Sequence, residues 1–257
     1  MITIEEITYS LKNSQVLCGI TLQIHGGEIL GITGPGGCGK SSLLEIISGE
    51  VRADSGRVLF DEMNTLHLPK RERTGLISYL KSRTEFNPES TLFDEILSGR
   101  IRLKKMLNPY TDNDRESTAG LIDDLGIKSY SGKRLKHLPF SVQKLCVLAR
   151  AFNSDSRVTV LDNPETGLDP RQRFLSSRLI QRQVKKGDRA VIMASSDIDF
   201  LAKVCDRLVI MKNGRIADSG GIEIITEDLI KEVFGVNTTV GRNLVTGLPE
   251  IQLIDVN

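Results

Sequence analysis

Cysteine is scarce in this 257-residue chain and never paired: Cys18, Cys38, Cys146 and Cys205 stand far apart, with no CxxC and no metal-ligand spacing. That excludes a disulfide framework and reads as reduced thiols in a cytosolic protein. No stretch approaches the ~20 uncharged apolar residues of a membrane span. The opening MITIEEITYS lacks the basic start and apolar run of a secretory leader, so membrane association is expected only through a partner. Charge of one sign is missing too. The 34 basic and 33 acidic residues leave a net charge of +1, which gives no general attraction to nucleic acid or an anionic membrane. What remains is 39% hydrophobic and 26% charged, ordinary for a globule and wrong for a disordered or collagen-like chain. At about 150 residues per domain the length predicts one large domain with appendages. A compact fold of this size hides roughly 73% of its unfolded surface, enough for a full core.

Strands and helices alternate along most of the chain, the pattern of an α/β fold with a largely parallel sheet. Ile2-Thr3-Ile4 and Ile20 to Ile24 alternate at period two, as half-buried strands do. Gly26-Gly27 breaks the second run, and Glu28 to Thr33 is a short apolar strand before a glycine-rich loop and a helical stretch from Lys40 to Ser48. Further strands are expected at Val158–Leu161, Arg189–Ala194 and Leu208–Met211, with Asn213-Gly214 as a hairpin turn. Between about 83 and 150 the strand signal vanishes and helical periodicity replaces it, which predicts an inserted helical subdomain. The division expected is a main domain over 1–220 and a short C-terminal extension over 221–257.

The most informative string is Gly34-Pro35-Gly36-Gly37-Cys38-Gly39-Lys40-Ser41-Ser42, which fits GxxxxGK[ST] with a strand before it and a helix after. Glycines let the backbone wrap phosphates with its N–H groups, and the helix N-terminus adds partial positive charge. Lys40 is expected to reach the β- and γ-phosphates of a nucleotide, and the Ser41 hydroxyl to coordinate Mg²⁺. Val158-Thr159-Val160-Leu161-Asp162 is an apolar run ending in a carboxylate. Alone it reads equally as an ordinary strand end; beside a phosphate loop, Asp162 is placed to hold the Mg²⁺ shell.

This loop, a helical insert, Leu148-Ala149-Arg150-Ala151-Phe152, the segment LDNPETGLDP and the segment DRLVIMKNGRI follow one another in an order that resembles the ATP-binding subunit of an ABC transporter. The similarity covers about residues 2–240. It implies a RecA-like α/β P-loop core with an antiparallel β-subdomain and the helical insert, binding ATP and Mg²⁺. It also implies partners: transmembrane permease subunits and a second ATP-binding cassette, with the chain cytoplasmic at the inner face of the cell membrane. By the same resemblance Tyr9 stacks on adenine, and Asp169, in Gly167-Leu168-Asp169-Pro170, works across the dimer interface. The segment Thr91 to Arg100 resembles the part of the family that precedes the coupling region, and the tail Thr226 to Val236, continued by Thr246 to Pro249, is similar to tails of importers of iron chelates, haem and cobalamin.

The departures from the family pattern matter more than the matches. Where the family has a glutamate that polarises the attacking water stands Asn163, whose amide can orient a water but not take its proton. The switch histidine position falls on Ser196, and the Q-loop glutamine position on Ser82. Counting back from Leu148 places the signature motif at Leu138-Pro139-Phe140-Ser141-Val142. There Pro139 has no N–H to donate and Phe140 is too bulky for close phosphate approach. A one-residue shift aligns Phe140-Ser141-Val142-Gln143 instead, with Ser141 as helix N-cap facing the phosphate. The expectation is an importer subunit that binds MgATP and hydrolyses it slowly or not at all. A nucleotide-gated scaffold without a permease and an active homodimeric ATPase stand as alternatives, and the second cassette is either a paralogue or another copy.

Overall fold

A computed structural model describes residues 1–83, 86–102, 109–185 and 187–256. In chain order it begins with β1 (Ile2–Leu11), β2 (Ser14–Ile24), β3 (Ile29–Thr33), α1 (Lys40–Ser48), β4 (Ser55–Phe60) and β5 (Met63–Asn64). Next come α2 (Lys70–Leu76), β6 (Ile77–Leu80), α3 (Leu92–Leu97), α4 (Asp112–Asp124), α5 (Phe140–Asn153), β7 (Val158–Asp162) and α6 (Pro170–Lys185). The remainder is β8 (Ala190–Ala194), α7 (Ile198–Val204), β9 (Arg207–Lys212), β10 (Arg215–Gly220), α8 (Glu227–Phe234), β11 (Val236–Arg242) and β12 (Pro249–Val256). These elements group into two compact units, Met1–Leu68 with Ile192–Asn257, and Pro69–Val191.

In the first unit an antiparallel sheet runs in the order β2-β1-β4-β5. Its register sets Ile2 opposite Ile24 and Phe60, and Ile4 opposite Leu22 and Val58, so one face is a continuous buried apolar layer. That is the period-two pattern carried into packing. Strand β3 is buried at every residue and pairs in parallel with β9, Leu30 beside Arg207 and Ile32 beside Val209. A strand buried on both faces reads as an unbroken apolar run, as β3 does. The β9–β10 hairpin turns at Asn213 and Gly214, φ 50° and 73°. Two successive positive φ values are what a two-residue hairpin turn with the native twist requires, and Asn-Gly supplies them. The tail adds α8, capped by Thr226 and ended by Gly235 at φ 71°, and the β11–β12 hairpin.

In the second unit β6 pairs in parallel with β7, Ile77 beside Val158 and Leu80 beside Leu161. Among the described residues no strand lies between Leu80 and Val158. Of the stretch read as helical near 83–150, residues 84–85 and 103–108 lie outside those described. Helices α3, α4 and α5 bury Leu92, Ile96, Leu121, Ile122, Leu145 and Leu148 against one another. Asn153 ties them together, its Nδ2 donating to the Ile96 carbonyl and to Thr118 Oγ1, both at 2.9 Å. The Arg150 guanidinium pairs with the buried Glu95 carboxylate. Helix α4 opens on a full capping box between Thr111 and Asp114.

The hairpin turn also props the glycine-rich loop. Gly214 N–H donates to the Cys38 carbonyl at 3.2 Å, and its own carbonyl accepts from Cys18 N–H at 2.9 Å. A Cβ on Gly214 would lie 2.4 Å from the Val16 carbonyl oxygen, so the position rejects a side chain on φ and on space alike. Gly214→Ala is therefore expected to lower stability by about 1–3 kcal/mol, the cost of a strained positive-φ residue. A denaturant midpoint unchanged from wild type would refute this.

Candidate functional site

The glycine-rich loop leaves the end of β3 and runs into α1. Gly39, at φ 103°, makes the turn into the helix, and a Cβ there would sit 2.6 Å from Leu17 Cδ2 and 2.9 Å from the Val16 carbonyl. The loop is thus pressed against β2, and the β1–β2 register places Tyr9 opposite that same Leu17. Tyr9 is half-buried in β1. Within this unit the fold brings Tyr9 and the loop onto neighbouring backbone.

Helices α1 and α5 begin differently from several others. Helices α3, α4, α7 and α8 each have a Thr or Asp side chain accepting a first-turn N–H and carry acids in that turn. Helix α1 has no side-chain cap and no acid in its first turn. Its opening N–H groups and partial positive charge are left for an external anion. Lys40 is only 9% exposed, its Nζ donating to the Gly34 carbonyl at 2.6 Å and the Pro35 carbonyl at 3.0 Å. The loop therefore curls around its own cation. Gly36 and Gly37 are exposed, and a Cβ on either would meet no atom within 4 Å, which leaves their backbone open to a ligand. Ser41 is exposed and Ser42 half-buried. These features fit a phosphate group. At the end of β8, Ser195 is buried and its Oγ accepts from Asp197 N–H at 2.9 Å, while Ser196 is exposed.

The second unit holds the other predicted residues. Asp162 ends β7 and is buried. Asn163 follows at φ 48°, in the left-handed region that asparagine tolerates better than most residues. Its Nδ2 donates to Asp162 Oδ1 at 2.8 Å, an orientation fixed by chemistry because only the amide nitrogen can donate to a carboxylate. Ser82 is exposed, and its carbonyl accepts from Lys144 Nζ at 3.2 Å. For a magnesium ion, the exposed Ser41 hydroxyl and the Asp162 carboxylate are hard oxygen donors of the right chemistry. Among the described residues no group of three or more His, Cys, Asp or Glu side chains forms an all-protein metal cage.

The structure fixes where the helix after the signature segment begins. Helix α5 starts at Phe140 with Pro139 as its N-cap residue, and no side chain caps it. The alternative with Ser141 as N-cap is therefore corrected. Proline's fixed φ, here −55°, sets the helix entry two residues earlier, and the Pro139 carbonyl accepts from Val142 and Gln143 N–H. Ser141 Oγ accepts instead from Gln172 Nε2 at 3.1 Å. Asp169 caps α6: its Oδ1 accepts from Gln172 N–H at 2.8 Å while Gln172 Oε1 accepts from Asp169 N–H at 3.1 Å. Phe140 is 61% exposed, yet its ring edge lies where a Cβ of Gly167 would stand, 2.6 Å away.

Two residues escaped the sequence reading. Lys144 is buried, 5% exposed, and burial holds its ammonium below the ordinary lysine value, opposed first by Glu165 and then by Asp162. Glu165 is buried as well. The available signal was a lysine directly before the apolar run Leu145 to Ala149.

Comparison with known proteins gives a consistent picture. Residues 17–166 match the family model described as ABC transporter. A hemin import ATP-binding protein of Pseudomonas fluorescens is 27% identical over 260 residues, covering 98% of this chain and 99% of that protein. A phosphonates import ATP-binding protein of Ruegeria pomeroyi is 27% identical over 246 residues, covering 93% and 90%. Among solved structures, a dimeric ATP-binding cassette with ADP and Pi superposes with a TM-score of 0.76 at 20% identity, over 86% of this chain and 98% of that one. An inward-facing ABC transporter of metal-chelate type gives 0.81 at 15%, over 100% and 97%. The architecture is that of ABC ATPases, α/β with parallel and antiparallel sheets. Lys40→Ala is expected to reduce ATP affinity at least a hundredfold, because the carbonyl-lined loop then lacks the cation that balances phosphate charge. Equal affinity by calorimetry would show that the loop is not the site.

Proposed function

The chain belongs to the ABC transporter family as an ATP-binding subunit, and we propose that it serves an importer, holding MgATP firmly and hydrolysing it slowly or not at all. The observation that carries the second half is the Asn163 amide turned onto Asp162. At the position where a general base is needed, the side chain is already donating a hydrogen bond and has no basic oxygen to take a proton from water.

In this reading Lys40, Ser41, Ser42 and the N–H groups of residues 34–40 bind the phosphates, and Tyr9 packs on adenine. Ser41 and Asp162 hold Mg²⁺, which when bound supplies charge neutralisation to the β- and γ-oxygens. Ser196 and Ser82 are too short and uncharged to replace a histidine and a glutamine beside the γ-phosphate. The import direction is supported by relatives named for hemin, phosphonate and cobalamin import. An iron-chelate, haem or cobalamin class of cargo is supported by the likeness of the tail. In this reading the chain works with transmembrane permease subunits at the inner face of the cell membrane; no helix among the described residues is itself long and apolar enough to cross a membrane.

The partner cassette follows from the signature. Pro139 offers no N–H and Phe140 covers the backbone beside Gly167, so this surface is a poor half-site for a second chain's nucleotide. Two identical chains would make two poor sites. Pairing with an intact paralogue would give one site combining this Lys40 with a sound signature, which favours a heterodimer.

Steady-state phosphate release is expected well below the ~1 s⁻¹ of ordinary enzymes, since loss of a general base costs about 10²–10⁴ in rate. Turnover at or above that speed would overturn the slow-hydrolysis reading. The mass of the pure chain with MgATP should be that of a monomer, and a tight ATP-dependent homodimer would count against the heterodimer.

A further inference from the structure

Helix α6 carries Arg171, Arg173, Arg178, Arg182 and Lys185 and no acidic residue, in a chain whose 34 basic and 33 acidic residues otherwise balance. Arg178, Arg182 and Lys185 follow one another at spacings of four and three, so successive turns bring them to one face. They line a cavity of about 610 Å³ together with Leu175, Leu179 and Asp124, the last residue of α4. That volume lies within the roughly 300–1,000 Å³ of small-ligand sites. Both helices belong to the second compact unit, whereas the loop around Lys40 belongs to the first.

Two of the three cations are already oriented. Arg182 Nη1 donates to Asp124 Oδ1 at 2.5 Å, and a guanidinium has more donors than one carboxylate oxygen uses. The Arg178 guanidinium lies 5.3 Å from the centre of the Phe174 ring, a cation–π contact. Side chains held in place beforehand lose less freedom when a ligand arrives. Three cations against one carboxylate leave the cavity with an excess of positive charge. Arg182 and Lys185 stand in the last turn, where cations also complement the helix dipole. The dipole does not account for Arg178, nor for a helix without a single acid to pair along its length.

The charge pattern selects the kind of ligand. One exposed ion pair adds at most about fivefold in affinity, so a monovalent anion is held poorly. A ligand that meets all three cations at once adds these gains together. The helical rise sets Arg178 and Lys185 about 10 Å apart along the axis. We propose that the cavity between α4 and α6 binds a small organic polyanion. Its two or more phosphate or carboxylate groups span that length, and its carbon frame covers Leu175 and Leu179. The site does not depend on the nucleotide held by the Lys40 loop or on the importer reading.

The test titrates citrate and pyrophosphate by calorimetry into the full chain, into Arg178→Gln/Lys185→Gln and into Lys40→Ala. The double variant keeps the Arg182–Asp124 pair and replaces two exposed residues, so its thermal midpoint should match wild type. At least one probe is expected to bind wild type and Lys40→Ala alike, with a Kd below about 1 mM. Its affinity should fall at least tenfold in the double variant and fall again as salt is raised, while Arg178→Lys, which keeps the charge, stays near wild type. Absence of saturable binding by either probe overturns the proposal. So does binding that the double variant retains, and if Lys40→Ala abolishes that binding the anion lies in the loop. Phosphatidylglycerol vesicles that sediment wild type but not the double variant, with neither probe binding, would overturn the small ligand in favour of a membrane surface.

Discussion

A buried ammonium must find oxygen atoms, and among the described residues two lysines impose that demand, one in each compact unit. Lys40 meets it with the carbonyls of Gly34 and Pro35, which forces the loop to curl back over its own lysine. That curl needs Gly39 at φ 103° and needs β2 to lie close enough that no side chain fits there. The hairpin turn at Gly214 holds the same loop from the Cys38 carbonyl. Lys144 meets it with the Ser82 carbonyl at 3.2 Å. Around each lysine the arrangement of backbone follows from the cost of leaving the charge uncompensated.

Several polar residues of the candidate site are tied into the second unit's own packing. Asn163 occupies a left-handed position and feeds Asp162. Asp169 and Gln172 satisfy each other as a capping pair, and Gln172 reaches on to Ser141. An engaged donor or acceptor must be released before it can serve a reacting group, which on the proposed reading slows chemistry here.

Much of the fold was legible because its signals are local. The period-two runs at Ile2 to Ile4 and Ile20 to Ile24, the apolar runs of β3, β7, β8 and β9, and Asn213-Gly214 each carry their conformation in neighbouring residues. Strands β4 to β6 were not read, being short and partly polar, and the β11–β12 hairpin was passed over although Val236 to Val240 alternates. The loop was legible in full because its chemistry is written as a contiguous string. The burial of Lys144 and Glu165 was not, because charged side chains in the sequence read as exposed and only folding encloses them. The register at Pro139 needed the helix start itself, which two adjacent alignments described equally well.

The exposed Phe140 shows how one substitution changes what a surface can do. A glycine at that position leaves backbone amides open, and an anion can approach them closely. A phenylalanine fills that approach with a ring packed at Gly167, and the preceding proline removes a donor as well. The surface gains apolar area and loses electropositive character. Such a face suits contact with another protein better than contact with phosphate, because exposed aromatic area is stabilised by burial and offers a nucleotide's oxygens nothing to bind. On the proposed reading the two halves of this cassette therefore have unequal tasks: the loop around Lys40 holds ATP, and the segment at Phe140 packs against the partner without sensing the partner's nucleotide.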